Sequence, residues 1–351
     1  MRLGIDATPL LGTRTGVGRY TAGLLSGLAT LDHEVVLTAF TWRGLDGLPS
    51  GYARAPRRFP ARALQALWSR VDWPPVEALS GPVDVFHGTN FVLPPTRRAA
   101  GVVTIHDLSY ETDTVAPASL RYRTLVPRAL RRGAVVVTPS ETVANEVRDR
   151  YRVERVVAAR LGVDDAWFAP AARPVGLPDE YVLFIGSVEP RKNLPVLLAA
   201  MARLRAADPA TPPLVLAGPP GWGPDLDLTD VVTPGYLSGP DLVGAVAHAS
   251  LLAFPSKYEG FGLPPLEALA TGTPVVASDL PVLREVLGDN ASFAPVGDID
   301  ALADAIEAAL KAGDGGPAAR AARAAYARTF TWARCARETA EAYDLALRSG
   351  S

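Results

Sequence analysis

The chain has few of the residues that form disulfides and metal cages. It contains one cysteine, Cys335, and four histidines, at positions 33, 87, 106 and 248. A single cysteine cannot form an internal disulfide, and no two histidines have the spacing of a metal site. These absences favour a protein of a reducing compartment and exclude a cysteine-based metal centre.

Long apolar runs and a strong net charge are also missing. The sequence has no apolar stretch of about 18 residues, and its first residues, MRLGIDATPLLG, lack the apolar core and cleavage site of a signal peptide. We therefore expect a cytoplasmic protein, with neither export by that route nor a membrane span. The formal net charge of -2 says nothing about partners, and we expect no nucleic acid among them.

Apolar residues, in contrast, are plentiful, and the chain is long enough for two domains. Its 351 residues exceed the usual size of one core, and 48% of them are hydrophobic. Short apolar runs such as VDVFHGT and YVLFIGS alternate with longer helical patterns. Strands that are apolar nearly throughout and alternate with helices are typical of parallel sheets covered on both faces. The sequence thus predicts an α/β protein with two doubly wound units.

The segment FAPAARPVGLPDEY, residues 168–181, is the predicted domain boundary. It is rich in proline and glycine, lacks apolar periodicity and precedes a new strand. We predict a first domain over residues 1–170 and a second over residues 171–330. The pattern of residues 331–351 indicates a helix whose Trp332 and Tyr343 are available for packing, and we expect it to lean on the first domain.

A candidate anion site lies near the start of the second domain. There the strand YVLFIG, the loop SVEPRKN and the helix LPVLLAAMARLRA follow one another. In open α/β sheets, ligands bind at the carboxyl ends of strands, where a helix N-terminus offers free N–H groups to an anion. Gly186 would let the backbone approach closely, and Arg191 with Lys192 would add two positive charges. The arrangement predicts a diphosphate site, whereas the two cations taken alone are more often a solvated loop pair.

Two glutamates lie across a second junction between a loop and a helix, in SKYEGFGLPPLEALATG. Gly260 and Gly262 free the backbone around Phe261 to direct N–H groups at a ligand. Glu259 lies on the loop and Glu267 about one turn into the helix, and each carboxylate can accept hydrogen bonds from vicinal hydroxyls. The spacing suits a nucleotide sugar, which has a polyol on either side of its phosphates. The alternative is a helix cap with Glu267 merely exposed.

Seven motifs occur in order along the chain. They are TRTGVGRYT, TIHD, VVTPSETVANEV, LGVDDAWFAP, GSVEPRKN, GYLSGPDL and the glutamate pair. Together they resemble the retaining glycosyltransferases of family 4, and EGFGLPPLE resembles the E-x7-E signature of that family. The resemblance implies the GT-B fold, in which two Rossmann-like doubly wound parallel-sheet domains face a central cleft. The first domain would bind the acceptor and the second the nucleotide-sugar donor.

The resemblance also implies roles for the site residues. Arg191 and Lys192 would bind the donor diphosphate. Glu259 would contact the hydroxyls of the donor sugar, and Glu267 the ribose. Further donor contacts would come from Gly16, Gly186, Tyr236, Leu237, Gly260, Phe261, Gly262 and Leu263.

His106 ends a strand of the first domain, and by the resemblance it faces the reacting sugar as a catalytic residue, together with Glu259, Arg191 and Lys192. A buried structural histidine is the competing interpretation. His87 ends the preceding strand at the same edge, and for it the structural interpretation is favoured.

Three other patterns suggest different functions. Gly16 and Gly18 do not complete a dinucleotide fingerprint, because Thr21 stands where the third glycine should be. The D-x-D pairs at 225–227 and 298–300 resemble metal ligands but follow no strand at the site, so surface loops explain them better. Residues 52–73 combine five arginines with tryptophan and leucine, which leaves open a peripheral contact with the inner membrane leaflet or a solvated helix face.

The reaction implied is the transfer of a hexose from a nucleotide sugar to a hydroxyl of a sugar, a lipid-linked or a small-molecule acceptor. We expect retention of configuration by front-face attack, no metal and no other cofactor, since protein cations supply the charge. Mannose from GDP-mannose is the first expectation for the donor, and UDP- or TDP-sugars remain open. The alternatives are a nucleotide-sugar epimerase or phosphorylase on the same fold, or a binder without catalysis.

Overall fold

In the computed structural model the chain forms two compact units. The structure describes residues 1–12, 16–42, 47–55, 59–112, 119–223 and 225–348. The first unit comprises Met1–Gly162 and Thr331–Ser351, and the second comprises Val163–Phe330. The division falls between Gly162 and Val163 instead of near residue 170.

The first unit contains a seven-stranded parallel sheet. Its strands are β1 Arg2–Asp6, β2 Glu34–Thr38, β3 Ala53–Arg54, β4 Val85–Gly88, β5 Ala100–Thr104, β6 Val135–Thr138 and β7 Val156–Ala158. Their order in space is β3-β2-β1-β4-β5-β6-β7, so the direction of winding reverses between β1 and β4. Ligands of such sheets bind at the carboxyl ends of the strands beside this reversal.

Helices cover the first sheet and complete its core. The helices that precede the second unit are α1 Gly16–Leu28, α2 Ala61–Trp68, α3 Glu77–Ser80, α4 Tyr122–Arg131 and α5 Glu141–Tyr151. In α2, Leu64 and Trp68 are buried in a core that also contains Phe86. These two apolar side chains of the basic segment are therefore not available to a membrane, whereas Trp73 of the same segment is 65% exposed.

The second unit contains a six-stranded parallel sheet. Its strands are β8 Val182–Ile185, β9 Leu214–Ala217, β10 Val231–Gly235, β11 Leu251–Phe254, β12 Val275–Ser278 and β13 Ser292–Ala294. Its helices are α6 Leu194–Ala207, α7 Gly239–Ala247, α8 Leu263–Ala270, α9 Pro281–Leu287, α10 Ile299–Ala312 and α11 Gly316–Ala327. The strands lie in the order β10-β9-β8-β11-β12-β13, with a reversal between β8 and β11.

A short 3-10 helix, Asp165–Phe168, explains the position of the division. It contacts α7 and α8, and its Trp167 is only 4% exposed. The guanidinium carbon of Arg328 lies 4.1 Å from the centroid of the Phe168 ring. These contacts attach the 3-10 helix to the second unit. The proline- and glycine-rich segment that follows it therefore also lies inside that unit.

The last helix, α12 Trp332–Arg348, belongs to the first unit and packs against α1, β5, β6 and β7. Glycines of α1 permit this close packing. A Cβ on Gly23 would lie 2.1 Å from Cε2 of Trp332, and one on Gly27 would lie 2.2 Å from its carbonyl oxygen. Tyr343 is fully buried. In the described ranges no helix is both long and apolar enough to cross a membrane.

Candidate functional site

The two loops with the predicted donor-binding residues leave the second sheet at its reversal. β8 and β11 are hydrogen-bonded neighbours, although β9 and β10 lie between them in the sequence. β8 leads into the loop with Arg191 and Lys192, and β11 leads into the loop with Glu259. Since parallel strands end at the same edge of the sheet, the fold brings the two loops together at the position where α/β sheets bind ligands.

Backbone geometry places the cations of the first loop beside a helix N-terminus. Gly186 has a φ of 153°, and a Cβ on Gly218 would lie 2.0 Å from its carbonyl oxygen, so neighbouring strand ends approach closely here. A 3-10 turn over Pro190–Lys192 follows, and α6 begins after Asn193, whose φ is 56°. The positive end of the α6 dipole therefore adds to the charge of Arg191 and Lys192.

The second loop enters α8 through a glycine that no other residue can easily replace. Gly262 precedes the helix with a φ of 97°, and a Cβ there would lie 2.6 Å from Cδ2 of Leu283. The backbone N–H of Lys257 donates to the carbonyl of Arg191 over 2.8 Å. This hydrogen bond joins the two loops directly.

Glu259 binds both cations of the other loop. Its Oε1 lies 2.7 Å from Nζ of Lys192, and its Oε2 lies 2.9 Å from Nη1 of Arg191. Nη1 of Arg191 also donates to the carbonyl of Tyr258 over 2.9 Å. The Lys192 ammonium lies 4.8 Å from the centroid of the Phe254 ring, where it gains a cation–π contact. The cations are thus oriented before any ligand arrives.

Burial and charge act against each other in this cluster. Burial alone would raise the pKa of the Glu259 carboxyl, but Lys192 and Arg191 outweigh it and lower that pKa to about 2. Burial lowers the pKa of Lys192, and Glu259 opposes that shift. A second carboxylate oxygen, Oε2 of Glu189, lies 3.7 Å from Nη2 of Arg191. With Glu189 included, two cations face two carboxylates, so the excess positive potential for an anionic ligand comes from the N-terminus of α6.

Glu267 and the residues between the two glutamates are also buried. Glu267 lies within α8 and is 2% exposed. Phe261 is 4% exposed, and its ring contacts Phe330 with the centroids 6.2 Å apart. The Phe261 ring therefore packs in the core and is not exposed to a ligand.

Tyr236 and Leu237 follow the edge strand β10. The Tyr236 side chain is half exposed, and Leu237 is partly buried. Because β10 ends at the same edge as β8, both residues lie on the predicted side of the second sheet. β9 lies between these two strands, so Tyr236 and Leu237 are displaced along that edge from the loop that contains Lys192.

In the first unit, Gly16 begins α1 and His106 follows β5. A Cβ on Gly16 would meet nothing within 4 Å, so packing of the described residues does not require this glycine. Nε2 of His106 donates to the carbonyl of Thr89 over 2.8 Å. His87, in contrast, is fully buried, and both its ring nitrogens bind hydroxyls, as expected of a structural histidine.

Asp6 is a candidate that the sequence motifs do not include. It ends β1, beside the reversal of the first sheet, and is 5% exposed. Burial raises the pKa of its carboxyl to about 6, against hydrogen bonds from the backbone and hydroxyl of Thr8. In the sequence, Asp6 could have been found as the acidic residue at the end of the strand RLGID.

The D-x-D pairs make turns and caps. Oδ1 of Asp227 accepts from the backbone N–H of Thr229 over 3.0 Å, and Oδ1 of Asp298 caps α10 by accepting from Ala301 over 2.9 Å. In the part of the chain that the structure describes, no three His, Cys, Asp or Glu side chains cluster as metal ligands would.

Oriented cations at a helix N-terminus, placed at the switch point of a parallel sheet, are features that suit a phosphorylated ligand, which makes this cluster the candidate functional site. Sequence comparison identifies the class of protein. Residues 14–167 match the family described as Glycosyltransferase Family 4, and residues 179–312 match the family described as Glycosyl transferases group 1. The chain belongs to this family and is a glycosyltransferase.

Several of the similar proteins are mannosyltransferases, and two of them align with most of this chain. The O-antigen chain mannosyltransferase B of Escherichia coli is 33% identical over 284 residues, which are 74% of this chain and 74% of that protein. The MMP alpha-(1->4)-mannosyltransferase of Mycolicibacterium hassiacum is 29% identical over 355 residues, with 91% of this chain and 80% of that protein covered.

Solved structures share the architecture. Sucrose-phosphate synthase from Thermosynechococcus elongatus superposes with a TM-score of 0.71 at 19% identity and covers 100% of both chains. WaaG, a glycosyltransferase involved in lipopolysaccharide biosynthesis, gives a TM-score of 0.67 at 18% identity, covering 100% of this chain and 98% of its own. The predicted GT-B fold, with its two parallel-sheet domains, is confirmed.

Proposed function

We propose that the chain transfers a hexose, in the first instance mannose from GDP-mannose, to an acceptor hydroxyl. The observation that carries this proposal is the cluster of Arg191, Lys192 and Glu259 at the N-terminus of α6. When the glycosidic bond breaks, the leaving nucleoside diphosphate gains negative charge. Cations that are already oriented stabilise that charge without reorganisation at the moment of reaction.

The choice of donor rests on the relatives. Both mannosyltransferases named above support a mannosyl donor. The structure of HepE from Anabaena holds UDP and glucose, so the fold itself also accommodates a uridine nucleotide in that protein. Binding experiments must therefore identify the base and the sugar of the donor, with UDP- and TDP-sugars as the competing donors.

Retention of configuration and independence of metal belong to the same proposal. The positive charge of Arg191, Lys192 and the α6 N-terminus fills the role that a divalent cation would otherwise have. In front-face attack the leaving phosphate itself takes the proton of the acceptor hydroxyl, so no carboxylate nucleophile is needed. Activity that EDTA abolishes and Mg²⁺ or Mn²⁺ restores would contradict the metal-independent part.

The acceptor is proposed to be a sugar, a lipid-linked or a small-molecule hydroxyl compound of surface polysaccharide, glycolipid or natural-product assembly. Peripheral contact with an anionic membrane surface is proposed from two exposed side chains, Trp42 at 70% and Trp73 at 65% exposure. Arg57 and Arg58 of the basic segment lie outside the described residues. Absence of binding to vesicles of phosphatidylglycerol at low salt would remove the membrane contact.

A thermal-shift panel of GDP-mannose, UDP-glucose and TDP-rhamnose tests the donor. A ligand at 100 times its dissociation constant adds about 2.7 kcal/mol of stability, which is a readily measured shift. We expect the wild-type protein to respond to GDP-mannose and Lys192→Ala to respond less. Equal responses of both proteins, or none to any donor, would overturn the assignment.

Release of GDP with and without an acceptor separates the alternatives. A transferase releases GDP faster when methyl α-mannoside or a lipid-linked sugar is added. An epimerase converts the nucleotide sugar without an acceptor, a phosphorylase requires orthophosphate, and a non-catalytic binder releases no GDP.

A further inference from the structure

A buried chain of hydrogen bonds crosses the first unit from α1 to α12. The Tyr20 hydroxyl lies 2.8 Å from Oγ1 of Thr104, which lies 2.7 Å from Nε2 of His87, and Nδ1 of His87 lies 2.8 Å from the Tyr343 hydroxyl. No member is more than 1% exposed. Bulk water therefore cannot replace any of these bonds if one partner is lost.

His87 makes this chain directional. Burial, with His106 nearby, lowers the pKa of His87 to about 3, so the ring is neutral at physiological pH. A neutral imidazole donates through one nitrogen and accepts through the other. Both hydroxyl partners, Thr104 and Tyr343, are therefore needed to satisfy the ring.

Tyr20, at one end of the chain, contacts the candidate catalytic histidine. Its ring meets the His106 ring with centroids 4.9 Å apart and an interplanar angle of 81°. The Phe91 ring contacts His106 as well, with centroids 5.5 Å apart. Phe91 has a φ of 59°, a conformation unfavourable for an aromatic residue, and such strain is frequent at functional sites.

The bond to Thr89 decides which nitrogen of His106 carries the proton. A carbonyl oxygen can only accept, so Nε2 of His106 must be the donor in its 2.8 Å contact with Thr89. Burial lowers the pKa of His106, against the effects of the Thr89 bond and Asp107, which favours the neutral ring. Nδ1 then holds a lone pair, and it makes no hydrogen bond to the described residues.

We propose that Tyr20 is a positioning residue for His106. The hydrogen-bonded chain that ends at Tyr343 holds the Tyr20 ring, and the Tyr20 ring with the Thr89 carbonyl holds His106 so that Nδ1 accepts a hydrogen bond from a substrate hydroxyl. The identity of that hydroxyl compound, a hexose donor or its acceptor, rests on the proposed function. The position of the His106 ring and its tautomer are independent of the proposed function.

Nitrogen-15 NMR of the histidine side chains in the full chain tests the placement without any substrate. The chain has only four histidines, so His87→Gln and His106→Gln suffice to assign the signals of these two rings. In the wild-type protein at pH 7 we expect His106 with a protonated Nε2 and an unprotonated Nδ1. In Tyr20→Leu we expect this pattern to be lost through ring motion or tautomer exchange. Tyr52→Phe is the control, because the Tyr52 hydroxyl binds the carbonyl of Leu25 in the same unit.

Kinetics then connect the placement to the reaction. A catalytic group misplaced by about 1 Å can cost about 10²-fold in rate, so Tyr20→Leu should lower kcat by up to that factor with the KM for GDP-mannose unchanged. A proton on Nδ1 of wild-type His106, or an unchanged His106 spectrum in Tyr20→Leu, overturns the proposal. If Tyr20→Leu does not fold, two measurements still test the proposal. The first is the tautomer of His106 in the wild-type protein. The second is the Tyr20→Phe variant, which loses the hydrogen bond to Thr104 and should therefore shift the His87 signals. If the histidine spectra are as predicted but the protein turns over no nucleotide sugar, the proposed function is contradicted and the proposal for Tyr20 is not.

Discussion

Nζ of Lys192 lies 2.7 Å from Oε1 of Glu259, and the two side chains are 11% and 9% exposed. Removing two charges from water is costly, and the pair is tolerable because each partner neutralises the other. The pair also fixes the direction of the ammonium, which would otherwise sample many rotamers. In the proposed donor site, a phosphate would therefore meet cations held at a defined place.

Lys192 should be required for turnover, whereas its neighbour in the other loop should not. Lys192→Ala removes one oriented cation, and the loss of such a donor typically lowers the rate by roughly 10²–10³. Lys257→Ala is the matched control, because Lys257 is exposed on the same loop as Glu259. The rate of GDP release at saturating donor measures both. A near-wild-type rate for Lys192→Ala would show that the diphosphate binds elsewhere.

The two glutamates should respond differently to truncation. Glu267→Ala should mainly weaken nucleotide binding, because we propose that this carboxylate contacts the ribose. Glu259→Ala should mainly slow transfer, because it releases Lys192 and Arg191 from their positions. Calorimetric titration with GDP and the turnover number together separate the effects. Equal changes in both quantities for both variants would contradict the assigned roles.

The Glu259 pair should also give the protein a specific acid sensitivity. The Glu259 carboxyl has a pKa of about 2 in the folded chain, against an ordinary value of 4.5. A depressed carboxyl pKa contributes stability that is complete above pH 4.5 and is lost as the pH falls towards 2. The difference in Tm between wild type and Glu259→Gln should thus be constant from about pH 5 to 7 and shrink below that range. Glu307→Gln, which breaks the surface pair with Lys311, is the matched control for the loss of an exposed carboxylate. A Tm difference that does not change with pH would refute the prediction.

Gly262 should be more sensitive to alanine than a glycine of similar backbone conformation. Gly262 and Gly297 have φ values of 97° and 82°, so alanine is strained by about 1–2 kcal/mol at either position. At Gly262 the new Cβ would also lie 2.6 Å from Leu283, whereas at Gly297 it would meet nothing within 4 Å. Overpacking adds about 1–3 kcal/mol, so urea denaturation should show Gly262→Ala to be clearly the less stable variant. Equal free energies of unfolding would mean that α9 moves to accommodate the methyl group.

The central strands were predictable, and three edge strands were not. β8 and β11 are continuous apolar runs because helices cover both faces of a parallel sheet. β3, β10 and β13 lie at the edges of their sheets and are partly exposed, so their sequences have no apolar run to indicate a strand. A continuous apolar run reflects burial on both faces of a strand, and that burial is incomplete in these three edge strands.

The residue types at the candidate site could be identified from the sequence, because glycines, cations and carboxylates after apolar strands indicate where a parallel sheet binds ligands. Which of these residues touch depends on the tertiary structure. Lys192 and Glu259 are 67 positions apart and meet because the order of strands reverses between β8 and β11. His87 and His106 belong to similar apolar segments, yet the His87 ring binds Thr104 and Tyr343 of the last helix, whereas the His106 ring binds the backbone carbonyl of Thr89. Local patterns in a sequence reflect burial, whereas hydrogen-bond partners depend on contacts between distant segments.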